Sequence, residues 1–263
     1  MSELDKLFAS TRADGRAALV GYLPAGYPTV PGSAAMLSAM IDSGCDLVEV
    51  GLPYSDPVMD GPTIQAAADT ALRGGFRVRD LFTVVESVAA AGGRAVVMTY
   101  WNPVHHYGVD RFARDLAAAG GLGIITPDLI PDEASDWLAA SDAHGLDRIF
   151  LVAPSSSEER LALTTAASTG FVYATAVMGV TGARDQVGHL AAGLVERTRV
   201  HTSLPIGVGL GVRSGAQAAE IAGYADAVIV GSAFVTRAAD GVASVAELSE
   251  ELAEGVRRPV AAT

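Results

Sequence analysis

A chain of 263 residues, half of them hydrophobic and 6% aromatic, can bury a substantial core, and α/β barrels of about 200–250 residues commonly fold as one domain, so a single domain over residues 1–263 is expected. The formal charge of −12 sets nucleic acid and anionic membrane surfaces aside as partners, and no apolar run reaches the roughly 18 residues of a membrane span. Cys45 is the sole cysteine, which excludes an internal disulfide; with the opening MSELDKLFAS, which has no apolar stretch of a secretory signal, it points to a reducing cytoplasm.

In chain order, an amphipathic segment at 3–10 precedes the first strand and is expected to cap a barrel floor. Strands are predicted at 18–24, 46–53, 94–100, 123–127, 147–153, 171–177, 205–211 and 227–231. Helical patterns fall between them at 33–43, 109–119, 132–143, 157–168, 189–201 and 214–223, with two patterns, 63–73 and 80–91, between the second and third strands. A short helix, SAFVTR, follows the eighth strand. Repeated strand–helix units imply a parallel sheet, and eight of them predict a (β/α)8 TIM barrel with an extra N-terminal helix and extra helices after strands 2 and 8. A doubly wound open sheet is the alternative, but no GxGxxG follows the first strand.

The second strand, DLVEVGLP, alternates: Val48, Val50 and Leu52 share one face, and Leu47, Glu49 and Gly51 the other. If the wholly apolar set lies under the helices, Glu49 points into the lumen near the catalytic end. An apolar lumen raises a carboxylate's pKa toward neutrality, which suits proton transfer. The plainer reading pairs Glu49 with an arginine for structure. Beyond the strand, Pro53 and Pro57 stiffen a loop that ends at Gly61, and Pro62 sits where a helix can begin. By spacing alone Asp60 reads as a helix cap and Asp56 as a turn former, yet a loop over a barrel mouth also allows Asp60 to face Glu49 and share acid and base duties with it.

Three glycine clusters follow the sixth, seventh and eighth strands: GVTGAR at 179–184, GLG at 209–211 and GS at 231–232. Glycine lets backbone N–H groups approach an anion, and Ser232 opens the short helix, so a phosphate site is expected after strands seven and eight. A Schiff-base aldolase would need a lysine in the lumen, and the only lysine, Lys6, precedes the first strand. His144, His189 and His201 are placed at helix ends, and the adjacent His105 and His106 are poorly disposed to share one ion, so no metal is expected. Cys45 reads as a packing residue. Acid–base chemistry by carboxylates on a phosphorylated substrate remains.

The EVG strand end, the loop VGLPYSDPVMDGPTIQ, the GVTGAR loop and the terminal GS together resemble the alpha subunit of tryptophan synthase, from Tyr22 to Ser232. The resemblance implies cleavage of indole-3-glycerol phosphate to indole and glyceraldehyde 3-phosphate with no metal or organic cofactor in this chain. It also implies a beta-subunit partner bearing pyridoxal phosphate, in an α2β2 assembly whose contacts include Asp56–Pro57 and Asn102–Pro103. By the same resemblance Glu49 moves the protons at carbon and hydroxyl, and Asp60 accepts from the indole N–H. Tyr173 matches an active-site tyrosine, and Tyr22, Ile64, Met98, Tyr100, Leu151 and Leu210 would line the indole pocket. Thr181 and Gly182 would belong to a lid, and Gly182, Gly211, Gly231 and Ser232 to the phosphate cradle. Met59, Tyr54, Met178 and the Asp128–Leu129–Ile130–Pro131 run depart from the family pattern without removing a chemical group. A stand-alone lyase and a catalytically silent allosteric subunit are the competing functions.

Overall fold

The computed structural model describes residues 1–175, 184–209 and 211–258. Short apolar runs form nine parallel strands: β1 (Ala18–Pro24), β2 (Leu47–Gly51), β3 (Ala95–Met98), β4 (Gly123–Ile125), β5 (Asp147–Ile149), β6 (Leu151–Val152), β7 (Val172–Thr175), β8 (Ile206–Gly209) and β9 (Ala227–Val230). Their order is β5-β4-β3-β2-β1-β9-β8-β7-β6. The two ends of that ladder, β5 and β6, are neighbours in the chain across Phe150, so the sheet closes on itself. The strand predicted at 147–153 is therefore one run in two pieces, its first half paired with β4 and its second with β7. The chain is a TIM barrel.

Twelve α-helices surround it among the described residues: α1 (Glu3–Ala13), α2 (Val30–Asp42), α3 (Pro62–Arg73), α4 (Val78–Ala90), α5 (Trp101–Tyr107), α6 (Val109–Ala118), α7 (Ser135–His144), α8 (Glu158–Ala167), α9 (Arg184–Arg199), α10 (Gly215–Ala222), α11 (Ser232–Ala238) and α12 (Val242–Arg257). None is long and apolar enough to cross a membrane. The extra helices after the second and eighth strands are present as α3 and α11. Two helices have no counterpart in the sequence reading. Asn-Pro disguises α5 as a turn, although Val104 anchors it in the core. In α12, Val245, Leu248, Leu252 and Val256 are buried at helical spacing, a signal present in the sequence. Helix α9 starts five residues before the predicted 189. The pattern at 132–143 divides into a 3-10 turn, Pro131–Glu133, and α7.

Side chains sort into two layers as the period-2 alternation requires. Val48 and Val50 lie in the outer layer beneath the helices. Leu47 joins Ala18, Val20, Val96, Ile125 and Ile149 in the lumen. Helix α1 closes the floor of that lumen. Ser2 and Asp5 form a capping box at its start, and Leu4, Leu7 and Phe8 pack upward onto the inner layer, with the Phe8 and Phe171 ring centroids 5.6 Å apart. Beside it, Asp46 accepts from the Arg16 guanidinium at 2.8 and 2.9 Å and from the Leu19 amide at 2.9 Å, which ties the starts of β1 and β2 together. The floor prediction is specific: Phe8→Ala should cost about 3–5 kcal/mol in urea unfolding, and a loss below about 1 kcal/mol would show that α1 is not part of the core.

Candidate active site

Glu49 stands on β2, in register with Tyr22 on β1 and Val96 on β3. Both neighbouring strands pin its backbone, and its side chain is 1% exposed. Oε1 has no hydrogen-bond partner among the described residues. Among the described residues no arginine pairs with it. Burial alone pushes the pKa up to about 8, because removing a carboxylate from water disfavours its charged form. Tyr22 and Tyr173 are held well above the ordinary tyrosine range, first by burial and then by nearby carboxylates, Asp60 and Glu49 for Tyr22 and Glu49 for Tyr173.

Two glycines make room for those rings. A Cβ at Gly51 would overlap the Tyr22 hydroxyl, and one at Gly209 would overlap that of Tyr173. Each tyrosine leans toward the catalytic end, over a neighbouring strand that carries no side chain there. The sequence reading places Gly51 on the inward face and Gly209 in a phosphate-site cluster, and gives neither of them this role.

Asp60 lies on the loop between β2 and α3. It does not cap α3, whose N-cap is Gly61 without a side-chain bond. Its Oδ1 accepts from the Tyr100 hydroxyl at 3.0 Å, and that hydroxyl accepts from the Met59 amide at 3.0 Å. Gln65 Nε2 donates to the Asp60 carbonyl at 2.7 Å. Partial burial raises the Asp60 pKa, and the Tyr100 bond opposes the rise. The Tyr54 ring packs on Tyr100 with centroids 5.5 Å apart, and Asn102 Nδ2 donates to the Tyr54 hydroxyl at 3.0 Å. Asp128 Oδ1 accepts from the Trp101 amide at 2.8 Å at the start of α5. The loop is thus moored to the β3–α5 corner. Asp56 is exposed and accepts from Ser55 at 2.6 Å, as a turn residue does.

Glu49 and Asp60 line one cavity of about 170 Å³. Tyr22, Ile64, Met98, Leu151 and Tyr173 line it, as does Gly231, which was expected in the phosphate cradle. Thr175, Gly209, Met59 and Ile229 line it as well; Thr175 shares the inward face of β7 with Tyr173, so alternation alone would have found it. Tyr100, also expected in the wall, is not among these lining residues; its hydroxyl bonds to Asp60 and Met59, both of which are. Thr181, Gly182, Leu210 and Met178 lie outside the described residues. Gly211 adopts φ +65°, a left-handed turn open to glycine, and Gly231 precedes α11, which begins at Ser232. A second cavity of about 260 Å³, lined by Thr63, Ser232, Ala233, Thr236 and two arginines, adjoins the first across the Thr63–Ile64 and Gly231–Ser232 peptides.

Elsewhere, His144 contacts Asp110 at 2.9 Å and His201 contacts Glu158 at 2.8 Å. Among the described residues no group of three or more His, Cys, Asp or Glu side chains is placed to share a metal ion. Cys45 is buried, and burial pushes its thiol up to about 12.

The burial of Glu49 has a measurable sign. Its folded pKa, about 8, exceeds the ordinary 4.5, so the wild-type chain loses stability as pH rises through that window, on the order of 1.4 kcal/mol per unit. Glu49→Gln carries no such charge. Denaturant unfolding should therefore show the variant near wild type at pH 4 and more stable than wild type, by a few kcal/mol, at pH 9; parallel pH profiles would refute the uncompensated burial.

Comparison with known proteins places this geometry. The sequence profile of the family described as tryptophan synthase alpha chain matches residues 8–261. The tryptophan synthase alpha chain of Nocardia farcinica is 67% identical over 262 residues, covering 100% of this chain and 98% of the relative. That of Mycobacterium marinum is 67% identical, covering 98% and 96%. A crystal structure of Mycobacterium tuberculosis tryptophan synthase in its aminoacrylate-bound form superposes with a TM-score of 0.92 at 62% identity, over 97% of this chain and 100% of that one. The tryptophan synthase subunit alpha of Legionella pneumophila gives 0.89 at 28% identity, over 97% and 98%. Fold, sequence and the full-length match agree, and the chain belongs to the tryptophan synthase alpha chain family.

Proposed function

We propose that this chain is the lyase subunit of a cytoplasmic tryptophan synthase, cleaving indole-3-glycerol phosphate to indole and glyceraldehyde 3-phosphate. One observation carries the mechanism: Glu49 is buried with its Oε1 unpartnered among the described residues, and that burial lifts its pKa to about 8, so that it holds its proton at neutral pH. As an acid it gives its proton to indole C3, which leaves positive charge on the ring nitrogen. Asp60, facing the same cavity, accepts a hydrogen bond from the ring N–H and stabilises that charge. Glu49, now a carboxylate, takes the proton of the glycerol hydroxyl next to the ring. The O–H electrons form the aldehyde, the carbon–carbon bond breaks, and its electron pair returns to the ring as neutral indole. One proton leaves Glu49 and one comes back, so no cofactor in this chain is called for.

Tyr22, Ile64, Leu151 and Tyr173 serve as the apolar walls for the indole, with Leu210 expected beside them. Tyr100 acts on Asp60, orienting its carboxylate. Gly211, Gly231 and Ser232, with Gly182 and the lid residue Thr181, are assigned to the substrate phosphate. The partner we assign is a tryptophan synthase beta subunit, in an α2β2 assembly. Val58 and Met59, 76% and 51% exposed at the tip of the loop that holds Asp60, support docking there, as does the likeness to solved tryptophan synthases.

In single-turnover indole release, Glu49→Gln should be all but inactive, since no other group is placed to move both protons. Asp60→Asn should keep a residual rate about 10²–10³ below wild type, the usual loss when one electrostatic stabiliser is removed. Wild-type-like turnover in Glu49→Gln would sink the mechanism. Because the reaction starts from protonated Glu49, its rate should fall as pH rises past about 8; a rate still climbing at pH 9 would exclude Glu49 as the initial acid. Gel filtration with the cognate beta subunit should show co-elution at micromolar concentration, and separate elution would count against the assembly.

A further inference from the structure

The second cavity has a chemistry of its own. Its polar wall consists of the hydroxyls of Thr63, Ser232 and Thr236 and the guanidinium groups of Arg213 and Arg237. Thr236 donates to the Ser232 carbonyl at 2.9 Å, and Arg237 Nη1 donates to Ser244 Oγ at 3.3 Å. Arg213 is exposed, and its amide donates to Gln217 Oε1 at 2.7 Å, fixing the backbone two residues beyond Gly211. Neither arginine lies within 4.0 Å of a carboxylate among the described residues, whereas Arg16, Arg148, Arg160, Arg197 and Arg199 all do. In a chain with 30 acidic and 18 basic residues, two guanidinium groups sharing one concave surface without a carboxylate leave that surface cationic.

The position of this cleft matters as much as its charge. Thr63 and Ser232 line it, while their chain neighbours Ile64 and Gly231 line the cavity of Glu49 and Asp60. A ligand with its ring beside Glu49 and a three-carbon arm reaching past Gly231 would set its far end here. A net charge of −12 repels a phosphate dianion at long range, so a local cation is needed to offset that field.

We propose that Arg213, backed by Arg237, is the cationic wall of the phosphate site and selects dianionic phosphate esters, an inference that rests on the assignment of Gly211, Gly231 and Ser232 to the phosphate. Guanidinium matches phosphate geometry with paired N–H donors, and charge-assisted bonds exceed neutral ones in strength. An exposed cation also acts through a field that salt screens.

Calorimetric titration of the pure chain with glycerol 3-phosphate tests this at low and high ionic strength. Arg213→Gln should weaken binding about tenfold at low salt, with the gap closing at high salt; Arg213→Lys should recover most of the loss, and Arg237→Gln should weaken binding about threefold. A merely structural role would give a salt-independent loss that Lys does not rescue. Affinity within twofold of wild type in Arg213→Gln, or a loss indifferent to salt, overturns the proposal. No binding by the wild-type chain would instead remove the phosphate assignment beneath it.

Discussion

The structure turns on a carboxylate without a partner. Glu49 sits in a lumen lined mostly by apolar and aromatic side chains, and among the described residues none donates a hydrogen bond to its Oε1. A carboxyl group in that position stays protonated at neutral pH, because ionising it there costs more than keeping the proton. Everything around it sustains this state. Helix α1 seals the floor, the ladder closes through the two halves of one strand at Phe150, and Tyr22 and Tyr173 fill the space beside it because Gly51 and Gly209 are bare.

The second carboxylate is held in the opposite way. Asp60 rides on a loop, only partly buried; that burial raises its pKa, and the bond donated by the Tyr100 hydroxyl, which has no counterpart at Glu49 Oε1 among the described residues, opposes the rise. One strand and the loop that follows it therefore bring two carboxyl groups in different environments into one small cavity, the arrangement on which the proposed division of acid and electrostatic roles rests. Tyr100, between β3 and α5, joins the Met59 amide, the Asp60 carboxylate and the Tyr54 ring, so the position of that carboxylate depends on a residue that is not among the lining residues of the cavity.

The barrel was legible because its strands are short apolar runs with period-2 alternation, and Leu47, Glu49 and Val48 fell on the faces their spacing assigned. Helix α5 was hidden by Asn-Pro, a turn signature that the Val104 anchor overrides. The break at Phe150 was hidden because sequence does not show where one strand must change partners to close a ring. Within the cavity wall, alternation on β2 placed Glu49 on the inward face, whereas Tyr22 and Tyr173 were named by the family resemblance. Asp60 was ambiguous between cap and cavity, since a loop's direction is set by distant contacts, here Tyr100. The role of Gly51 and Gly209 depends on cross-strand register, which a single strand's pattern does not contain.

Glu49 is a buried acid whose charge no described residue stabilises by a hydrogen bond to Oε1. Titration of its side-chain carboxyl carbon by NMR, assigned by the signal lost in Glu49→Gln, tests that directly in the ligand-free chain. The account predicts a midpoint close to 8, and a midpoint near the ordinary 4.5 would contradict it.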